Sequence, residues 1–85
     1  MSLVFAVNGR KRQRYAVVVS KKILKSAVGR NRIRRRVYEA IRAELPNIKK
    51  PVDCIFIINT KEIAQIDFKD LRGLIHDLLI EAKII

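Results

Sequence analysis

The sequence concentrates five arginines in the seven residues from Arg30 to Arg36. A guanidinium group binds phosphate oxygens through two parallel hydrogen bonds, so this composition suggests recognition of a phosphate backbone. Cations packed this closely repel one another, and a polyanion would relieve the repulsion. The alternative is a solvated helix held by its own ion pairs, but the first acidic residue of the chain is Glu39. The cluster therefore indicates a nucleic-acid partner.

The distribution of charge along the chain points the same way. The net charge of +11 arises entirely from residues 1–38, which hold 12 lysines or arginines and no acid, giving +12. Residues 39–85 hold 7 basic and 8 acidic residues, giving −1. Such asymmetry is typical of a protein that binds a polyanion. A membrane surface is disfavoured because no segment pairs a basic face with an aromatic or leucine-rich insertion face.

The other titratable residues do not form a catalytic or metal-binding pattern. His76 is the single histidine, and no spacing supplies a nucleophile or base beside it. Asp67 suits a helix N-cap and Asp70 the first turn after it, while Asp77 lies a turn or more beyond. Cys54 lies in an apolar run and suits a small core residue. We therefore expect no catalytic residue and no metal or other cofactor bound by the protein alone.

Length and composition predict one domain, residues 1–85, with a modest core. A single cysteine excludes a disulfide framework within the chain and a four-cysteine zinc site, which favours a reducing compartment. The sequence shows no signal-peptide pattern, and no apolar stretch approaches the ~20 residues that cross a bilayer. We therefore expect a soluble protein of the cytoplasm that makes no membrane contact.

The segments that must position the arginines follow an α+β pattern. Leu3–Val7 and Tyr15–Val19 are apolar runs that predict two strands of a hairpin, joined by a basic loop. Ser26 suits the N-cap of a helix that carries the arginines and ends near Pro46. Apolar residues at spacings of three and four predict the buried face of this helix: Ile33, Val37, Ala40, Ile41 and Leu45.

The second half adds a strand at Asp53–Ile58 and a final helix capped by Asp67. Ile80 and Ile84 lie outside the apolar stripe of that helix, so we expect them to be exposed. All three strands are apolar at successive positions, as in sheets covered on both faces. The two helices could cover both faces, or could share one face and leave the other for a partner. The predicted stripe of the last helix comprises Phe68, Leu71, Leu74, Ile75, Leu78, Leu79 and Ala82.

The segment from Val18 to Arg35 reads VVSKKILKSAVGRNRIRR and resembles the signature of the protein component of bacterial ribonuclease P. In that family a strand ends in Ser-Lys-Lys, and the following helix carries Ala-Val-x-Arg-Asn-Arg-x-Lys/Arg-Arg. The resemblance continues through Cys54–Asn59 and the leucine-rich last helix, and so covers nearly the whole chain. The Arg-Asn-Arg core with these flanks is far more specific than a basic patch.

The resemblance implies a subunit that assists a catalytic RNA in removing the 5′ leader from precursor tRNA. The RNA, with magnesium, would cleave the phosphodiester bond. The implied fold is a small sheet packed with helices, similar to a ribosomal-protein domain with a left-handed βαβ crossover instead of the usual right-handed one. Asn31 could bond RNA or could brace the strand-to-helix junction. The residues expected to bind RNA are Lys21, Lys22, Lys25, Arg30, Asn31, Arg32, Arg34, Arg35 and Arg36, with Arg10 and Arg12 of the basic loop.

One departure from the family pattern lies at the start of the chain. Members usually begin with a helix whose aromatic residues wall a cleft for the substrate leader, whereas this chain begins at the strand, so we expect that helix to be missing. Tyr15 and Phe5 are candidates for stacking on leader bases, although sheet core suits Phe5 better and the two roles are equal for Tyr15. An uncovered sheet face also predicts weak self-association.

Two other functions compete with this interpretation. A ribosomal or other structural RNA-binding protein could use the same fold class with no enzymatic role, and only the specificity of the Arg30–Arg35 signature weighs against it. A small self-sufficient nuclease would need a carboxylate or histidine cluster for metal or acid–base chemistry, which the sequence does not suggest.

Overall fold

The computed structural model describes residues 1–9 and 12–85. The chain forms a three-stranded sheet and two long helices, so the predicted α+β class is confirmed. Short 3-10 turns follow the first helix at Leu45–Asn47 and the third strand at Lys61–Ala64. The main elements are β1 (Ser2–Val7), β2 (Arg14–Val19), α1 (Ala27–Glu44), β3 (Val52–Ile58) and α2 (Phe68–Glu81).

The sheet has β3 at its centre, with β1 antiparallel on one side and β2 parallel on the other. The predicted hairpin between the first two strands is therefore wrong, because β3 separates them. Asn8, the first residue after β1, stabilises this end of the sheet through two hydrogen bonds. Its backbone N–H donates to the Pro51 carbonyl at 2.8 Å, and its side-chain amide donates to Asp53 Oδ1 at 2.6 Å. The chain leaving β1 is thereby bonded to the start of β3.

Helix α1 begins and ends close to the predicted residues. Ser26 is the N-cap, and its hydroxyl accepts from the Gly29 backbone N–H at 3.0 Å, which satisfies one of the free amides of the first turn. The α-helix ends at Glu44, and Pro46 lies within the 3-10 turn that follows. Ile33 and Val37 are fully buried, which confirms the predicted inner face of this helix.

Helix α2 has Asp67 at its N-cap position, as predicted, although the side chain makes no capping hydrogen bond. Its C-terminus is a Schellman motif: the Lys83 N–H donates to the Ile80 carbonyl, and the Ile84 N–H donates to the Leu79 carbonyl, both at 2.9 Å. Lys83 has a φ of 60° and reverses the chain. Ile84 is therefore buried against the core, so its predicted exposure is wrong, whereas Ile80 is exposed.

Both helices pack against the same face of the sheet. Burial alternates along β3, where Cys54 and Phe56 are buried in one core with the inner faces of α1 and α2, while Ile55 and Ile57 are exposed. Of the two arrangements left open by the sequence, the helices therefore share one face. The opposite face, called the outer face below, is formed by Ser2, Val4, Ala6, Arg14, Ala16, Val18, Asp53, Ile55 and Ile57.

Candidate nucleic-acid interface

The lysines at the end of β2 lie in a tight turn before α1. The Ser20 carbonyl accepts from the backbone N–H groups of Ile23 at 3.1 Å and Leu24 at 3.3 Å, which folds residues 20–24 back on themselves. Lys21 and Lys22 are both exposed in this turn, and Lys25, just before the N-cap, is also exposed. The turn thus brings three cations to the N-terminal end of the helix, where a positive dipole end favours anions.

Arg30 braces the strand-to-helix junction. Its Nη1 donates to the Leu24 carbonyl at 2.9 Å and to the Lys25 carbonyl at 2.7 Å. These carbonyls precede the helix, so a single guanidinium fixes the angle at which the turn enters α1. The bracing role considered for Asn31 therefore belongs to Arg30.

Asn31 interacts within the helix instead. Its Oδ1 accepts a hydrogen bond from Arg34 Nη2, one turn later, and the asparagine side chain is exposed. This contact holds the Arg34 guanidinium against the helix surface. The two residues lie in the predicted RNA-binding segment and are paired with each other.

Arg36 contacts the segment that precedes α2. Its Nη1 donates to the Ile63 carbonyl at 2.6 Å, and its Nη2 donates to the Ile66 carbonyl. The residue is half-buried and joins α1 to the 3-10 turn and to the approach to α2. The sequence placed Arg36 with the RNA-binding residues, whereas the structure directs its guanidinium to backbone carbonyls of the protein.

Arg32 and Arg35 point away from the core. Both are exposed, and neither makes a hydrogen bond or ion pair within the described part of the chain. With Val28, Asn31 and Arg36 they line an open depression of about 320 Å³ beside α1. We call the exposed cations without protein partners at this end of α1 the arginine surface: Lys21, Lys22, Lys25, Arg32 and Arg35.

The basic loop before β2 carries Arg10 and Arg12, two of the residues expected to bind RNA. Arg10 lies outside the described residues, and Arg12 is exposed with its carbonyl accepting from the Asn8 amide at 3.3 Å. Arg14 forms a two-pronged contact with Asp53, with Nε to Oδ1 at 2.8 Å and Nη2 to Oδ2 at 2.6 Å. That hydrogen bond and the aspartate charge raise the pKa of Arg14. Arg14 is therefore bound to the sheet.

The two aromatic residues proposed for leader stacking are not brought together. Phe5 and Tyr15 both pair in register with Cys54, so they lie on the helix-covered side of the sheet, on opposite edges of β3. The Tyr15 ring packs on Tyr38 of α1, with centroids 5.8 Å apart. Phe5 is 45% exposed at the sheet edge and lines a small cavity with Leu78. They do not share one surface on which successive bases could stack.

A buried carboxylate lies at the far end of the helix pair, and sequence analysis did not single it out. Glu44 is 5% exposed, and its Oε2 lies 3.1 Å from His76 Nδ1 and 3.2 Å from the Asn47 amide nitrogen, which donates to it. Burial raises the pKa of Glu44, but these two hydrogen bonds and the charges of His76 and Arg72 outweigh burial. The pKa of this carboxyl therefore lies below its usual value.

The described residues contain no group of three or more histidine, cysteine or acidic side chains that could hold a metal ion. Cys54 is buried, as predicted, and burial together with the charge of Asp53 raises the pKa of its thiol, which keeps it protonated and unreactive. Across residues 1–9 and 12–85, no helix has the length and hydropathy needed to cross a bilayer.

Comparison with known proteins agrees with this geometry. The sequence profile of the family described as Ribonuclease P matches residues 1–83. The ribonuclease P protein component of Roseiflexus castenholzii is 41% identical over 80 residues, which are 94% of this chain and 65% of that protein. The corresponding protein of another Roseiflexus species is 38% identical over 85 residues, all of this chain and 70% of that protein.

Solved structures show the same fold. The ribonuclease P protein from Thermotoga maritima superposes with a TM-score of 0.81 at 30% identity, covering 93% of this chain and 74% of that one. The present chain thus spans 65% to 74% of the length of these three relatives. The match of the family profile over nearly every residue, together with the shared fold, shows that the chain belongs to the ribonuclease P protein family.

Proposed function

We propose that this chain is the RNA-binding protein subunit of ribonuclease P, which assists a catalytic RNA in removing the 5′ leader from precursor tRNA. The observation that carries the proposal is the arginine surface, five exposed cations at one end of α1 that make no hydrogen bond or ion pair with residues 1–9 or 12–85. Cations that the protein does not neutralise are available to phosphates. Their number and the family membership together favour RNA as the polyanion.

Two pairs of arginines on α1 have different roles. Arg30 and Arg36 use their guanidinium groups on backbone carbonyls, so they fix the turn before the helix and the segment before α2. Arg32 and Arg35 are then presented on a rigid helix to the phosphates of the catalytic RNA. Because the helix backbone that carries them is already fixed, only the two side chains need to be ordered on binding. Lys21, Lys22 and Lys25 extend the contact around the helix N-terminus.

The protein contributes binding and charge to the reaction, and the chemistry belongs to its RNA partner. We infer that the RNA subunit cleaves the phosphodiester bond with magnesium, as a ribonucleoprotein endonuclease of the hydrolase class, and that the protein takes part in tRNA processing without catalytic residues of its own. Precursor tRNA is the second partner, bound by the assembled particle. We place the particle in the cytoplasm, where the single thiol of Cys54 stays reduced.

The outer face offers a site for weak self-association. Val4 and Ile55 are neighbours across β1 and β3, and both are exposed, at 53% and 41%. We infer that two copies bury these apolar faces against each other at high concentration. Sedimentation velocity of the free protein should show concentration-dependent association, and the substitution Ile55→Lys should abolish it. A monomer at every concentration would exclude this contact.

Cleavage at low magnesium tests the main proposal. The chain is added to a bacterial ribonuclease P RNA with a precursor tRNA that carries a 5′ leader, at a magnesium concentration where the RNA alone is nearly inactive. Because the protein replaces counterions, correct 5′ cleavage should be stimulated. A variant in which Arg32 and Arg35 are both alanine should require more protein for the same stimulation. RNA binding without any stimulation, with the RNA shown to be competent, would favour a structural RNA-binding protein instead.

A further inference from the structure

Helix α2 separates its charges onto two flanks. Lys69, Arg72 and His76 follow one another at spacings of three and four residues, so they lie on one flank, which faces the C-terminal end of α1. Asp70 and Asp77 are rotated away from that flank by the 100° per residue of the helix. The basic side chains of α2 are therefore gathered at the junction of the two helices.

A cavity of about 350 Å³ opens between this basic flank and the end of α1. Its volume falls within the ~300–1,000 Å³ of typical ligand sites. A second cavity, of about 480 Å³, shares His76 and extends past Lys49. We call the first one the α2 cavity; it is lined by Glu44, Phe68, Lys69, Arg72, Gly73 and His76.

The cations beside the α2 cavity form no direct ion pair within the described residues, although the charge of Arg72 helps to lower the pKa of Glu44. Within the described part of the chain, Lys49, Lys69 and Arg72 make no hydrogen bond or ion pair. The single acid of the lining, Glu44, is already engaged by His76 and the Asn47 amide. The ammonium groups of Lys49 and Lys69 and the guanidinium of Arg72 thus keep their hydrogen-bond donors for a ligand.

Gly73 lies in the interior of α2, at a position where neither the backbone conformation nor the packing requires a glycine. Its φ is not positive, and a Cβ built on it would meet nothing within 4 Å. A glycine within a helix costs roughly 0.5–1 kcal/mol relative to alanine, so this position weakens the helix with no gain in packing. What it provides is a flat wall on which a ligand backbone can approach the helix closely. Phe68, 41% exposed, adds an aromatic surface to the same cavity.

We propose that the α2 cavity is a second RNA-binding site, which takes a short single-stranded segment. Lys69 and Arg72 bind its phosphates, Phe68 stacks on a base, and Gly73 admits the sugar-phosphate backbone. A basic groove with an aromatic platform is the combination that binds single-stranded nucleic acid without strong sequence preference. This inference rests on the proposed function and adds a contact outside the arginine surface. The segment belongs either to the catalytic RNA or to precursor tRNA.

Binding measurements on the full chain test this site with three variants. The first is K69A/R72A, which removes the two rim cations. The second is Gly73→Leu, which fills the cavity while replacing glycine with a better helix former. The control is K61A/K83A, which removes the same charge at two exposed lysines that do not line the cavity. Thermal unfolding of each variant verifies that the fold is intact.

Two dissociation constants are measured for each protein against ionic strength: that for a bacterial ribonuclease P RNA, and that of the assembled particle for precursor tRNA. K69A/R72A and Gly73→Leu should each weaken one of them roughly tenfold. For K69A/R72A the salt slope should also flatten, by roughly 0.7–0.9 for each phosphate that the variant no longer binds. A change in the constant for ribonuclease P RNA would show that the bound segment belongs to that RNA, and a change in the constant for precursor tRNA would show that it belongs to precursor tRNA. The control should keep wild-type values.

The outcomes separate this site from the function on which it rests. If both constants stay at wild-type values for K69A/R72A and Gly73→Leu while a variant with alanine at Arg32 and Arg35 loses RNA affinity, the second site is excluded and the proposed function stands. If that arginine variant also binds as well as wild type, the proposed function fails. A control that weakens binding as much as K69A/R72A would mean that net charge alone is responsible, which also overturns the site.

Discussion

Two pairs of arginines on α1 differ in what they contact. Arg30 and Arg36 lie on the flanks of the buried stripe and donate to backbone carbonyls at 2.6–2.9 Å. Arg32 and Arg35 lie on the outer side of the same helix and have no partner among the described residues. Five arginines in a row of seven therefore do not form one functional unit. The helical period separates the pair that shapes the protein from the pair that is free for a ligand, while Arg34 is bonded to Asn31 on the same helix.

The largest effect on stability is expected for Arg36→Ala. The substitution removes two charge-assisted hydrogen bonds and leaves the Ile63 and Ile66 carbonyls with only water as a partner, which should lower the free energy of unfolding by about 2 kcal/mol. Lysine should not restore it, because a single ammonium lacks the planar fork that serves two carbonyls at once. Urea unfolding measures both variants. Wild-type stability in Arg36→Ala would remove the distinction between the two pairs.

The opposite result is expected for the double variant Arg32→Ala, Arg35→Ala. Removal of two unpaired cations relieves repulsion within the helix, so the unfolding temperature should stay the same or rise slightly. The affinity for a bacterial ribonuclease P RNA should fall roughly tenfold, with a flatter salt dependence. Filter binding at several salt concentrations measures it, and Lys61→Ala, Lys83→Ala is the matched charge control. A drop in stability without a change in RNA affinity would contradict the assignment.

The sequence predicts a structural feature well when that feature depends on neighbouring residues, and poorly when it depends on residues far away in the chain. Helix ends were predicted well, because Ser26 and Pro46 act on their immediate neighbours. The hairpin was predicted wrongly, because strand order depends on β3, which lies more than 30 residues after β2 and inserts between the first two strands. The buried position of Ile84 was also missed. It depends on a left-handed residue at Lys83, and nothing in a lysine signals that conformation.

The candidate interface shows the same limit. Composition and spacing identified the segment that carries the arginine surface, yet they could not tell Arg30 and Arg36 from Arg32 and Arg35. The partners of the first pair are backbone carbonyls, which every residue carries and no sequence pattern reveals. The α2 cavity could not be predicted for a related reason. Lys69 and Arg72 lie in the second half of the chain, where the numbers of basic and acidic residues are nearly equal, so they do not form a basic cluster in the sequence. Helical spacing places them beside Phe68 on α2, but only the position of α2 beside the end of α1 forms a cavity there.

The smallest effect is expected for Glu44, at the C-terminal end of α1, whose carboxylate is hydrogen-bonded to His76 and Asn47. The pKa of Glu44 is lowered on folding, so its contribution to stability is present above its usual value of 4.5 and is lost as the pH falls through the lower folded value. Glu44→Gln should therefore destabilise the protein near neutral pH, and the difference from wild type should shrink in acid. Glu81, an exposed carboxylate, provides the control as Glu81→Gln, which should keep the wild-type pH profile. Urea unfolding between about pH 3 and pH 7 measures all three proteins. A constant difference between Glu44→Gln and wild type across that range would show that the bonds from His76 and Asn47 do not depend on the charge of Glu44.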